Sequence, residues 1–120
     1  MEKRVHFLPG DMLQPLPQPV HVIVANLPYV TDADLPRLAP EIRDFEPVLA
    51  LAGGADGLAA VRRLLPQAGE KLLPGGAILV EIGKGQGAAV TDLARHYFPT
   101  GSIDLVPDLS GIDRVVRVET

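Results

Sequence analysis

The run Val20-His21-Val22-Ile23-Val24-Ala25 constrains the fold more than any other stretch of this chain. Branched side chains are stiff at χ1 and fill a pleated surface well, so the run reads as a strand. Its apolar residues are nearly continuous instead of alternating, which predicts a strand buried on both faces, as in a parallel sheet. His21 is the one polar interruption. Such a sheet needs helices over its faces, and the expected fold class is α/β.

The rest of the pattern agrees. Val5 to Leu8 reads as a short strand closed by Pro9-Gly10-Asp11. Asp32 to Phe45, broken by Pro36 and Pro40, reads as a loop with short helical turns. Asp56 is a suitable N-cap, and Leu58, Val61, Leu65, Ala68 and Leu72 recur after it at helical spacing. Pro66 is expected to kink that helix, because it lacks an N–H and crowds the carbonyl of Arg62. Pro74-Gly75-Gly76 predicts a turn into a second buried strand, Ala77 to Ile82. Ala88 to Tyr97 follows as a helix with Val90, Leu93, Ala94 and Tyr97 on one face. Ile103 to Val106 and Val115 to Val118 then form a terminal antiparallel pair around Asp108 to Asp113. The expected order is β-β-α-β-α-β-β.

At 120 residues the chain is expected to form one domain, residues 1–120, with a real core. The absence of cysteine excludes disulfides, thiol nucleophiles and cysteine-ligated zinc, and is compatible with a cytoplasmic setting. No apolar stretch approaches the ~20 residues of a membrane span, and Met1-Glu2-Lys3-Arg4 is not followed by a signal-peptide core. The net charge is −4, and no basic cluster exceeds Arg62-Arg63, which argues against a nucleic-acid partner. His6, His21 and His96 are too scattered to predict a metal site.

The long strand ends in Asn26-Leu27-Pro28-Tyr29. Structurally this is a strand end with an asparagine cap and a proline turn, and it also has a chemical reading. A planar amino nitrogen is a poor nucleophile, because its lone pair is delocalised. Accepting hydrogen bonds from both of its N–H groups holds it in place and returns electron density to it. The Asn26 side-chain oxygen and the Leu27 carbonyl can take those two bonds. Pro28 fixes its own φ and biases Leu27 away from the helical region, which aims that carbonyl in advance. Tyr29 can stack on the flat acceptor. The arrangement suits methyl transfer to a planar amino group by positioning, with no strong general base.

From Val5 onward the chain resembles the C-terminal part of the HemK/PrmC family of S-adenosylmethionine-dependent glutamine N5-methyltransferases. The matching stretches are Gly10-Asp11, Val22 to Tyr29, Glu46-Pro47 with Ala50-Leu51, and Gly54 to Leu58. They continue with Leu73 to Gly76, Glu81-Ile82-Gly83 with Gln86-Gly87, Asp108 to Gly111, and Asp113 to Val116. The resemblance implies a class I, Rossmann-like methyltransferase fold whose methyl donor is S-adenosyl-L-methionine. It implies that Asn26, Leu27, Pro28 and Tyr29 hold the target glutamine of a class 1 peptide-chain release factor. It places Asp11, with Met12 and Asn26, near the donor. Glu46-Pro47 is expected to order the loop over the substrate pocket.

Leu27 departs from that family, which usually has proline there. Leucine keeps the carbonyl but frees φ and adds an N–H. Asn-Leu-Pro-Tyr is also the form found in ribosomal RNA adenine dimethylases, so an adenine N6-methyltransferase is an alternative. A non-catalytic accessory domain that binds through a sheet edge is another.

Leu79-Val80-Glu81-Ile82-Gly83-Lys84-Gly85-Gln86-Gly87 resembles a strand entering a cofactor loop, with Asp104 as a later ribose acid. The family pattern instead makes it a later strand. It then puts the true glycine loop before Met1, leaving a truncated domain without its first strands. On that reading Val20 to Ala25 becomes a free apolar edge open to a missing N-terminal half, a second copy or strand exchange. Glu46 and Glu81 are a conceivable carboxylate pair, Asp108 and Arg114 are expected to pair in the terminal hairpin, and Arg62 and Arg63 read as a solvated helix face.

Overall fold

The computed structural model describes residues 4–29, 33, 36, 54 and 57–120. Its elements run β1 (Val20–Asn26), α1 (Ala59–Lys71), β2 (Leu72–Glu81), α2 (Gly87–Tyr97), β3 (Ser102–Pro107) and β4 (Asp113–Glu119). They build one four-stranded sheet in the order β1-β2-β4-β3. β1 pairs parallel to β2, while β4 runs antiparallel to both β2 and β3. The α/β class and the terminal antiparallel pair are as expected.

The ladder carries one apolar row across all four strands, from Ile23 through Ile78 and Val118 to Ile103. Period-two alternation puts Val80 and Val116 on the same face. Against that face α1 packs Val61, Leu64, Leu65 and Ala68, and α2 packs Val90 and Ala94, with Phe98 just beyond it. Phe98, not Tyr97, closes this end of the core: Phe98 is 9% exposed and Tyr97 38%.

The opposite face differs. Its row runs from Val24 through Leu79 to Arg117 and Asp104, turning from apolar to charged across the sheet. Val22 is 55% exposed and Val24 77%. The expectation that the β1 run is buried on both faces is therefore wrong. Nearly continuous apolar character signalled a sheet with two apolar faces, but both helices lie against only one of them.

Val5 to Leu8 is not a strand, and Phe7 is 92% exposed. A strand needs a neighbour for its N–H and C=O groups, and among the described residues none lies beside it. β1 accordingly forms an edge of the sheet, as expected.

Three boundaries also differ. The N-cap position of α1 is Leu58, two residues beyond Asp56, and the expected Asp56 cap lies outside the described residues. Pro66 stands inside α1 without ending it. Pro74-Gly75-Gly76 falls within β2 and not before it. There Val20 to Val22 of β1 spans Leu72 to Ala77 of β2, so the extra residues bulge out. Gly75 has φ +82°, and a Cβ at Gly76 would come within 2.5 Å of the His21 carbonyl oxygen, so each position requires glycine. The 32–45 loop lies outside the described residues, apart from Ala33 and Pro36.

Candidate functional site

Asn26 ends β1 exposed, in register with Glu81 of β2. The chain then leaves the C-terminal edge of the parallel pair, the side on which open α/β sheets place their ligands. Leu27 turns back and packs against the core, while Pro28 and Tyr29 are half-buried. Burying Leu27 anchors the turn between Asn26 and Pro28.

Beside this turn lies an open cleft of about 390 Å³. One wall is Gly10, Asp11, Met12 and Pro28; the other is Ala59, Ala60 and Arg63 from the start of α1. Thus Asp11, Met12 and Pro28, far apart in sequence, share one cavity. Met12 has φ +51°, the left-handed region that a side chain seldom adopts. It follows Gly10, at φ +149°, in a tight 11–16 turn closed by Gln14 N–H to Asp11 O (3.0 Å) and Leu16 N–H to Leu13 O (3.1 Å).

Helix α1 holds that turn through three side chains at i, i+4 and i+8. Arg63 lies 3.8 Å from Asp11. Gln67 accepts the Leu13 N–H at 2.8 Å through Oε1 and reaches Asp11 Oδ2 from Nε2 at 3.4 Å. Lys71 donates to the Leu16 carbonyl at 2.7 Å. Arg63 therefore belongs to the cleft wall, not merely to a solvated face. The residues missed in the sequence are Gln67 and Lys71; their spacing of four on a polar face was the only available signal.

The glycine-rich stretch has a different use from a cofactor loop. A Cβ at Gly83 would lie 2.7 Å from Tyr29 Cδ2, so the tyrosine ring rests where a side chain would stand. Gly87 gives the same room to Leu105. Gln86 accepts the Gly83 N–H at 2.8 Å and donates to the Tyr29 carbonyl at 3.2 Å. Asp104 sits in β3, bonded to Arg117 at 3.2 Å, away from any strand end that would serve a ribose.

Asp108 Oδ1 accepts from Ser110 N–H (2.8 Å) and Ile112 N–H (3.1 Å), and Oδ2 faces Arg114 Nε at 3.4 Å. These bonds, chiefly the one from Ile112, hold its carboxyl below the ordinary carboxylate value against the opposing effect of desolvation. The expected Asp108–Arg114 pair is present, as a hairpin fastener. Glu46 and Pro47 lie outside the described residues, so the substrate-loop expectation and the Glu46–Glu81 pair do too. Among the described residues no group of histidines and carboxylates is placed to hold a metal, and no helix is long and apolar enough to cross a membrane.

No protein-family profile matches the chain. Curated relatives do. It is 41% identical over 117 residues to the release factor glutamine methyltransferase of Gloeobacter violaceus, covering 97% of this chain and 41% of that protein. Against that of Thermodesulfovibrio yellowstonii the identity is 43%, covering 98% of this chain and 42% of the other. For Moorella thermoacetica it is 48%, over 92% and 39%. Among solved structures, the release-factor-specific protein-(glutamine-N5) methyltransferase of Alicyclobacillus acidocaldarius superposes with a TM-score of 0.53 at 28% identity. That match covers 84% of this chain and 48% of the other.

The sheet order, the helices and the turn at the end of β1 define part of a class I, Rossmann-like methyltransferase domain. Within that class the chain is related by sequence, over nearly its whole length, to the release factor glutamine methyltransferases of the HemK/PrmC type. It spans about two fifths of the length of these relatives.

Proposed function

We propose that this chain is the acceptor-holding part of an S-adenosylmethionine-dependent methyltransferase that modifies a glutamine side-chain amide in a class 1 peptide-chain release factor. The observation that carries the reading is the Asn26-Leu27-Pro28-Tyr29 turn at the C-terminal end of β1, next to the cleft that Pro28 shares with Asp11. In this reading the Asn26 side-chain oxygen and the Leu27 carbonyl accept the two N–H bonds of the glutamine amide. Tyr29 stacks on its plane. The nitrogen is thereby fixed with its lone pair exposed, and once methylated it loses its proton readily to water.

The cleft suits the donor's adenine end. Its volume falls within the range of small-molecule sites, about 300–1,000 Å³. It combines the apolar surfaces of Met12, Pro28 and Ala59 with one carboxylate, Asp11, able to accept from an exocyclic amine. S-adenosylmethionine, when bound, supplies the electrophilic methyl group. In this reading Glu46 and Pro47 contribute to acceptor binding. The free edge of β1 pairs with the remaining part of such an enzyme or with a second copy of this chain.

The test is methyl transfer from labelled S-adenosylmethionine to a class 1 release factor. The chain is assayed alone and together with the rest of a release factor glutamine methyltransferase supplied in trans. Transfer to glutamine that falls at least about a hundredfold in Asn26→Ala is expected, the scale seen when a transition-state hydrogen-bond partner is removed. Label on RNA adenine, or transfer indifferent to Asn26→Ala, overturns the reading.

A further inference from the structure

The side-chain amide of Gln86 stands where three segments meet. Its Oε1 accepts the Gly83 N–H at 2.8 Å. Its Nε2 donates to the Tyr29 carbonyl at 3.2 Å and points toward the Gly57 carbonyl at 3.5 Å. The orientation of the amide is forced: flipped, it would set N–H against N–H at Gly83 and oxygen against two carbonyl oxygens.

Both glycines around it are required. At Gly57, with φ +78°, a Cβ would collide with the Tyr29 carbonyl oxygen and with Gln86 Nε2. At Gly83 a Cβ would strike the Tyr29 ring. Tyr29 is therefore held by its carbonyl through Gln86, while its ring rests on the bare backbone of Gly83. Gln86 is itself firmly based. It occupies the N-cap position of α2, its N–H bonds to Gly83 O at 3.1 Å, and its carbonyl accepts Val90 N–H at 3.0 Å. A side chain launched from a fixed backbone loses little further freedom when it grips the turn.

We infer that Gln86 is the positioning residue of the acceptor site: it sets the height and direction of Tyr29, and so the surface on which the planar acceptor stacks. The inference rests on the reading of Tyr29 as the stacking residue. Its alternative is a purely structural role, in which Gln86 only satisfies the Gly83 N–H at the start of α2. The two roles use opposite ends of one amide, and Gln86→Glu separates them. Glutamate still accepts from Gly83, but it turns an oxygen on the Tyr29 and Gly57 carbonyls.

The experiment compares wild type, Gln86→Glu and Gln86→Ala by NMR of tyrosine-labelled chain and by titration against a class 1 release factor. Tyr97, on α2 against His96, is the internal control. Positioning predicts that Tyr29 resonances move or broaden in both variants while those of Tyr97 stay. It also predicts that release-factor affinity falls about tenfold in both, the effect of roughly one lost hydrogen bond. Tyr29 resonances in Gln86→Glu that match wild type overturn the inference. A wild-type chain that does not bind the release factor counts against the proposed function alone, because the Tyr29 resonances still decide the role of Gln86. If Gln86→Ala does not fold, the glutamate variant carries the decision.

Discussion

At Asp108 one side chain closes the β3–β4 hairpin, and its carboxylate form is the one the fold prefers. The bonds from Ile112, Ser110 and Arg114 lower its folded-state value below the ordinary 3.8. The sign follows from linkage: a depressed carboxyl contributes stability that is present above the unfolded value and is lost as pH falls through the folded one. The advantage of wild type over Asp108→Asn in urea melts should therefore be full near neutrality and shrink as the pH drops below about 4. An advantage independent of pH would refute this. The Asp108–Arg114 pairing was legible in the sequence because its partners lie within one hairpin. The use of Gly83 was not. A glycine marks a place where something comes close, but only the assembled sheet shows that the neighbour is Tyr29.

Helix α1 illustrates the same division at the scale of an element. Its apolar stripe of Val61, Leu65 and Ala68 was evident from helical periodicity, and these residues are buried as that pattern requires. Its polar stripe was legible as a pattern but not as a function. Arg63 read as part of a solvated face and Gln67 and Lys71 were not singled out, yet all three fasten the turn that carries Asp11 and Met12. Gln67→Ala should lower stability by about 1 kcal/mol, the net value of one such hydrogen bond. It should also speed hydrogen exchange at the Leu13 amide, measured by NMR, while leaving the buried amides of β2 unchanged. An unaltered Leu13 rate would show that the turn holds itself. β1 makes the complementary point. Its strand character was plain from composition, but its burial was not, because burial depends on whether a helix covers each face.

For the whole molecule, the sheet order leaves β1 with a single neighbour among the described residues and an apolar outer row at Val22 and Val24. An exposed, apolar edge is a template for pairing with another chain. Val24→Lys puts a charge on that row at a site already 77% exposed. It should change folding stability by less than about 0.5 kcal/mol, as surface substitutions do, while weakening self-association. Light scattering coupled to size exclusion, run over a concentration series, measures the second effect. Wild type monomeric throughout would remove a second copy as the partner of this edge.

The sequence by itself determined the described elements between Val20 and Glu119 and the proline-restricted turn at Asn26 to Tyr29, because strand and helix periodicity and the φ restriction of proline act over a few neighbouring residues. It also carried the relationship to release factor glutamine methyltransferases. The tertiary structure decided which faces are covered, left Val5 to Leu8 without a strand partner among the described residues, and brought Asp11 to Arg63 and Tyr29 to Gly57, Gly83 and Gln86. Those contacts join residues distant in sequence. They are set by the register of β1 on β2 and by where α1 and α2 pack, and no local pattern encodes them.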